Sequence, residues 1–247
     1  MVKFSIKPPI IAHRGASALA PENTLSAFLK AKQLGMNWLE FDVMLAACGE
    51  VIVFHDETLN RTTNGSGNVV EHTYAYLQTL DAGSWFNPIF AGEKIPTLRE
   101  TLIFLSDNQL SANIEIKALP GQEEKLVNLV LEMIEDYKEI PLLISSFSLR
   151  SLQFVRKKSQ TLSIGFLMDE WQSDWKIICD ELNAVAVDVN QTILNPQRIQ
   201  EIKSSQRLLL TYTVNDPAQA ETLILWGADA VFSDCPEQLV TRIKQMK

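Results

Sequence analysis

Residues 38–56 read WLEFDVMLAACGEVIVFHD. The pattern predicts two strands joined by a tight turn at Cys48-Gly49, the second ending in His55-Asp56. Glu40 and Asp42 stand two apart, so on a strand both side chains point to one face. Two carboxylates aimed together among apolar neighbours repel each other unless a cation or a shared proton neutralises them. A divalent metal held by hard oxygen ligands meets that need. A simple hairpin about this turn pairs residues whose numbers sum to about 97, which returns His55 beside Asp42. The stretch therefore predicts an acid/base group next to a metal site.

On its N-terminal side, residues 9–13 (PIIAH) form a short apolar strand broken by Arg14-Gly15. The segment LSAFLKAKQLG that follows carries a helical stripe stopped by Gly35. On its C-terminal side, residues 57–95 are rich in Thr, Asn and Gly, with aromatics at Tyr74, Tyr76, Trp85, Phe86 and Phe90 and no clear period. That is too long for an ordinary connection. It predicts an insertion over one end of the domain, with a short helix near 74–79.

From Thr97, a helix cap, strands and helices alternate. The strands are SANIEIK (111–117), LLISSF (142–147), LSIGFLM (162–168), AVAVDV (184–189), RLLLTYTV (207–214) and ADAVFSD (228–234). Asn195-Pro196 and Asp216-Pro217 open two of the helices. With the first strand and the Glu40/Asp42 strand, eight βα units fit a chain of 247 residues folded as an α/β protein, a (β/α)8 TIM barrel. The alternative is a doubly wound open sheet. We expect one domain over 1–247 with the insertion at about 57–95. VIVFH is left over, because too few residues precede it for a helical crossover. It is expected to be an antiparallel arm on strand two that rises past the barrel rim and folds back.

Composition bounds the partners. The chain is 46% hydrophobic, enough for a sizeable core, and its net charge is −8. Nucleic-acid backbones and anionic membranes both favour a basic face, so neither is an expected partner. A small anionic substrate stays open, since local cations and a metal override a distant field. The three cysteines, Cys48, Cys179 and Cys235, are widely spread and show no CxxC spacing. Reduced thiols, no signal-like N-terminus and no membrane-length apolar run predict a cytoplasmic protein without a membrane anchor.

Polar residues that interrupt the apolar runs collect at strand C-termini, the face that carries the active site in barrels. They are His13-Arg14, Glu40 and Asp42, Glu115 and Lys117, Ser145-Ser146, and residues 212–215 beginning at Tyr212. Glu115 and Lys117 repeat the two-residue spacing, adding a third carboxylate and a cation. Singly, each has a structural explanation: a surface strand carboxylate, a hydrogen-bonded histidine, a turn, a lysine reaching solvent. His72, within the insertion, is read as structural. Jointly, a metal ringed by three carboxylates, two histidines, an arginine and a lysine suits a phosphodiester. One histidine would accept the attacking hydroxyl's proton while the other protonates the leaving alkoxide, the order between them being open.

The ordered motifs HRG (13–15), APENT (20–24), EFD (40–42), HDETLNRTTNGSG (55–67), EIK (115–117), SSF (145–147), YTVN (212–215) and GADAVFSD (227–234) resemble the glycerophosphodiester phosphodiesterase family over nearly the whole chain. DAGSWF (81–86) and LMDEW (167–171) resemble its short cytosolic bacterial type, linked to glycerol-3-phosphate uptake. The resemblance implies a phospholipase-C-like barrel with a capping insertion. It implies hydrolysis of small glycerophosphodiesters, such as glycerophosphocholine or glycerophosphoethanolamine, to sn-glycerol 3-phosphate and an alcohol. By motif, His13 and His55 are the acid/base pair, Arg14 and Lys117 meet the phosphate, and Glu40, Asp42 and Glu115 bind magnesium or calcium. The family commonly has Trp where this chain has Tyr212; the change keeps an aromatic wall against the substrate and adds a hydroxyl. The rival readings are a lysophospholipase D or sphingomyelinase-D-like enzyme on the same barrel, and a metal-dependent binder of phosphorylated metabolites. The preferred alcohol, the first attacking group and the oligomeric state are left open.

Overall fold

The computed structural model describes residues 6–244. Among these, the strands are β1 (Ile10–Ala12), β2 (Trp38–Leu45), β3 (Val51–Val53), β4 (Ser111–Ile116), β5 (Leu142–Ser146), β6 (Ser163–Met168), β7 (Ala186–Asn190), β8 (Leu208–Tyr212) and β9 (Ala230–Ser233). Parallel pairings run in unbroken order from β2 through β4 to β9, then to β1, and Ala12 pairs with Leu39 to return to β2. The sheet is thus closed. It is a (β/α)8 barrel and not the doubly wound alternative.

Helices α1 (Leu25–Gln33), α3 (Leu98–Asn108), α4 (Glu123–Ile134), α5 (Leu149–Lys158), α6 (Trp175–Glu181), α7 (Pro196–Ser204), α8 (Pro217–Trp226) and α9 (Pro236–Lys244) surround it; α2 (Tyr74–Leu77) lies in the segment between β3 and α3. Their starts follow from local chemistry. Thr97 and Glu100 form a reciprocal capping box on α3. Asn195 and Asp216, each directly before a proline, accept from the backbone amides of Arg198 and Ala218. The main core lies between strands and helices. A second cluster, made of strand residues including Ile11, Trp38, Leu143, Leu210 and Phe232, fills the barrel interior. Trp38 plugs the floor; two residues on, Glu40 faces the same interior one layer higher.

β3 is the expected antiparallel arm, pairing with the upper half of β2 at Val43↔Val53, Met44↔Ile52 and Leu45↔Val51. The partners' numbers sum to 96. The loop is centred on Cys48, because Ala46 N–H donates to Glu50 O at 2.9 Å and Gly49 closes a three-residue turn with φ +87°. Phe54, not His55, therefore stands opposite Asp42, its N–H donating to the Asp42 carbonyl at 3.0 Å. His55 enters the barrel mouth only because the chain leaves the ladder after Phe54.

The segment after the arm rests on its own buried cluster, where Met44, Ile52 and Phe54 meet Leu59, Val69, Leu77, Leu80 and Ile95. Its aromatics pack on one another: Trp85 on Phe86 and Phe86 on Phe90 edge to face, and Tyr76 on His72 with centroids 4.5 Å apart.

Candidate active site

Glu40 and Asp42 on β2 and Glu115 on β4 converge, with Asp42 and Glu115 direct register partners. One oxygen from each carboxylate lies within 4.8 Å of the others. Glu40 is 3% and Asp42 1% exposed. Burial, then the charges of Asp42 and Glu115, pushes Glu40 well above the usual carboxylate range. Burial, then Asp42, pushes Glu115 up to about 7. Glu40 Oε1 and Asp42 Oδ1 are buried and have no hydrogen-bond partner among the described residues. Three hard oxygen donors, crowded and incompletely satisfied, fit a divalent cation.

Two histidines flank this triad, each clamped by its own carboxylate. His13 Nδ1 donates to Asp234 Oδ1 at 2.6 Å, and Asp234 also accepts from Asn215 Nδ2 and Ser17 Oγ. Burial pushes Asp234 up, yet these bonds hold it down at about 2. His55 Nδ1 donates to Asp56 Oδ1, also at 2.6 Å. Hydrogen bonds from Arg61 hold Asp56 far below the usual range. An acceptor on Nδ1 fixes the tautomer and leaves Nε2 for chemistry. His13 Nε2 lies 3.9 Å from Glu40 Oε2. Burial lowers the His55 pKa; Asp42 opposes this, and Arg14 and Lys117 add to it.

The cations sit across from the carboxylates. Arg14, with φ +54°, donates its backbone N–H to Glu40 Oε2 at 2.8 Å and lays Nε 3.3 Å from Asp42 Oδ2. Lys117 Nζ lies 3.2 Å from Glu115 Oε1 and 3.8 Å from Asp42 Oδ1. Burial lowers the pKa of both groups, but the facing carboxylates leave each raised. A cavity of about 210 Å³ is lined by these groups on one side and by Phe147, Leu167, Tyr212 and Phe232 on the other. Tyr212 packs edge-on to Phe147, its hydroxyl buried and unpartnered among the described residues.

All eight residues singled out from the sequence, His13, Arg14, Glu40, Asp42, His55, Glu115, Lys117 and Tyr212, gather at this one mouth. Others went unread. Asp56, Asp234, Glu22 and Arg61 lie inside quoted motifs, and only their partners reveal their use. Asn23 of APENT holds Asp42 in place, Nδ2 donating to Oδ2 at 2.8 Å. Asp188 sits in the apolar run AVAVDV and is fully buried, both oxygens unpartnered among the described residues. A carboxylate inside a buried strand was the available signal.

The sequence profile of the glycerophosphoryl diester phosphodiesterase family matches residues 13–238. The chain belongs to that family. A glycerophosphodiester phosphodiesterase of Caldanaerobacter subterraneus is 36% identical, the alignment covering 97% of this chain and 99% of the relative. One from Bacillus subtilis is 35% identical over 92% of this chain and 83% of its own. Among solved structures, a phosphodiesterase of Oleispira antarctica in complex with the product sn-glycerol-3-phosphate superposes with a TM-score of 0.94 at 35% identity, covering 96% of this chain and 97% of that one. The chain is accordingly a hydrolase, a glycerophosphodiester phosphodiesterase with an acidic cluster able to hold a metal. No helix among the described residues is long and apolar enough to cross a membrane.

Proposed function

We propose that this family member hydrolyses small deacylated glycerophosphodiesters, such as glycerophosphocholine and glycerophosphoethanolamine, to sn-glycerol 3-phosphate and the free alcohol. His13 and His55 are the acid/base pair. The observation that carries this reading is the pair of Nδ1-clamped imidazoles flanking one acidic triad in one small cavity. Mere binding needs no such pair. The product bound to the Oleispira antarctica relative supports sn-glycerol 3-phosphate as this chain's product.

Glu40, Asp42 and Glu115 would hold magnesium or calcium, which when bound polarises a phosphoryl oxygen and offsets its charge. Arg14 and Lys117 neutralise the remaining anionic oxygens and draw the diester toward the histidines. One imidazole takes the nucleophile's proton at Nε2 and the other gives one to the leaving alkoxide. Tyr212 and Phe147 wall the opposite side and orient the organic part of the substrate. The three unpaired cysteines, with Cys179 and Cys235 buried, support a cytoplasmic setting.

The test is a coupled assay for sn-glycerol 3-phosphate with several glycerophosphodiesters, paired with an assay of choline release from glycerophosphocholine and from lysophosphatidylcholine, each with and without chelator. Release from the deacylated diesters that stops on chelation is expected. Cleavage of the lysophospholipid alone would reassign the enzyme to the lysophospholipase D class.

A further inference from the structure

The segment HDETLNRTTNGSG contains one cation, Arg61, that the proton transfer above does not use. The loop that presents it is built tightly. Leu59 N–H donates to Gly67 O at 3.0 Å, and Val69 N–H to Glu57 O at 2.9 Å, closing the loop at its base. Leu59 is fully buried beneath, and the Thr63 hydroxyl donates to its carbonyl at 2.6 Å. Gly65 lies close over Leu80, since a Cβ there would stand 2.7 Å from Leu80 Cδ1 and would require that side chain to shift.

From this loop the guanidinium forks two ways. Nε and Nη2 donate to Asp56 Oδ2 and Oδ1 at 2.7 and 2.8 Å. Nη1 and Nη2 donate to Glu22 Oε2 and Oε1 at 2.6 and 2.8 Å. Glu22 in turn accepts from Arg14 Nη1, and Asp56 from His55 Nδ1. The ladder Arg14–Glu22–Arg61–Asp56–His55 joins the loop after β1 to the end of the β3 arm, two segments with no strand pairing between them. Arg61 is 44% exposed, so its ion pairs add little to stability. What a planar fork on both sides does supply is fixed geometry.

We propose that Arg61 is a positioning residue: it holds the His55–Asp56 pair in register with Arg14, so that imidazole and guanidinium address the same phosphodiester. The proposal rests on the acid/base reading of His55. The experiment is steady-state kinetics on the full chain with glycerophosphocholine and magnesium, for Arg61→Ala, Arg61→Lys, His55→Ala and the Arg61→Ala/His55→Ala double variant. In Arg61→Ala, kcat should fall on the order of 10- to 100-fold. KM should stay within about threefold, the signature of misplacement and not of lost binding. Lysine should recover only part of the loss, having the charge without the fork. On the His55→Ala background, adding Arg61→Ala should leave the residual rate unchanged. Wild-type kcat in Arg61→Ala, or the same fold loss on both backgrounds, overturns the role of Arg61. Full turnover in His55→Ala overturns instead the acid/base reading. Should Arg61→Ala not fold, Arg61→Lys carries the same cycle.

Discussion

His13 and Asp234 lie 221 residues apart in the chain and meet at 2.6 Å, Nδ1 to Oδ1. The bond exists because β9 pairs with β1, closing the barrel at Ala12↔Ser233. It ties the proposed proton-transfer residue to the last strand.

Asp234→Asn should cut kcat by about 100-fold through a misoriented or wrongly protonated His13. Its effect on stability has a defined sign. The folded carboxyl is depressed to about 2, so its contribution is present above the unfolded pKa and fades as pH falls through the folded one. Urea midpoints of wild type and variant should differ most near neutrality and converge between pH 4 and pH 2, roughly. A gap that widens on acidification would contradict the assignment.

The acidic triad predicts the opposite slope. Glu115 is pushed from an ordinary 4.5 up to about 7. A raised carboxylate stabilises the fold fully below its unfolded pKa, and that contribution is lost as pH rises through the folded pKa. Chelator-treated protein should therefore lose stability as pH rises from 4.5 to about 7, by up to about 1.4 kcal/mol per pH unit from this group. Glu115→Gln should flatten the profile. Magnesium held by the deprotonated triad, as proposed, should raise the melting temperature more at pH 8 than at pH 6, a difference that thermal scans read directly.

His13→Ala and His55→Ala should each lower kcat by about 100- to 10,000-fold. Magnesium titrations followed by thermal shift should show metal binding close to wild type in both, because neither imidazole belongs to the triad. Loss of metal binding in either variant would place that histidine among the ligands.

Asp188 offers a stability test on a group that no proposed step uses directly. Burial, then the charge of Glu115, raises its pKa well above the ordinary value. Asp188→Asn removes that cost, so the variant should melt higher than wild type at pH 8 and nearly alike below about pH 4. Gly165→Ala, by contrast, should destabilise by about 1–3 kcal/mol, since its Cβ would stand 2.8 Å from Asp188 Oδ2. Differential scanning calorimetry of both variants at the two pH values decides it.

Local chemistry carried most of the architecture. The alternation of short apolar strands with capped helices, and the lack of room for a crossover before VIVFH, already specified eight parallel strands and an antiparallel arm. The spacing of Glu40, Asp42, Glu115 and Lys117 announced one inward face, because strand periodicity depends only on the backbone. The hairpin register was legible to within one residue; the three-residue turn set it at 96 and moved Phe54, not His55, opposite Asp42. What only the tertiary structure decided is which polar groups partner across the closed barrel. Asp234 on His13, the Arg61 fork between Glu22 and Asp56, and Asp188 over Gly165 arise from strand closure and loop packing, which no local pattern encodes. Residues 38–56 by themselves determined a pair of carboxylates on one strand face and a histidine near them; the closed barrel determined how each histidine is held.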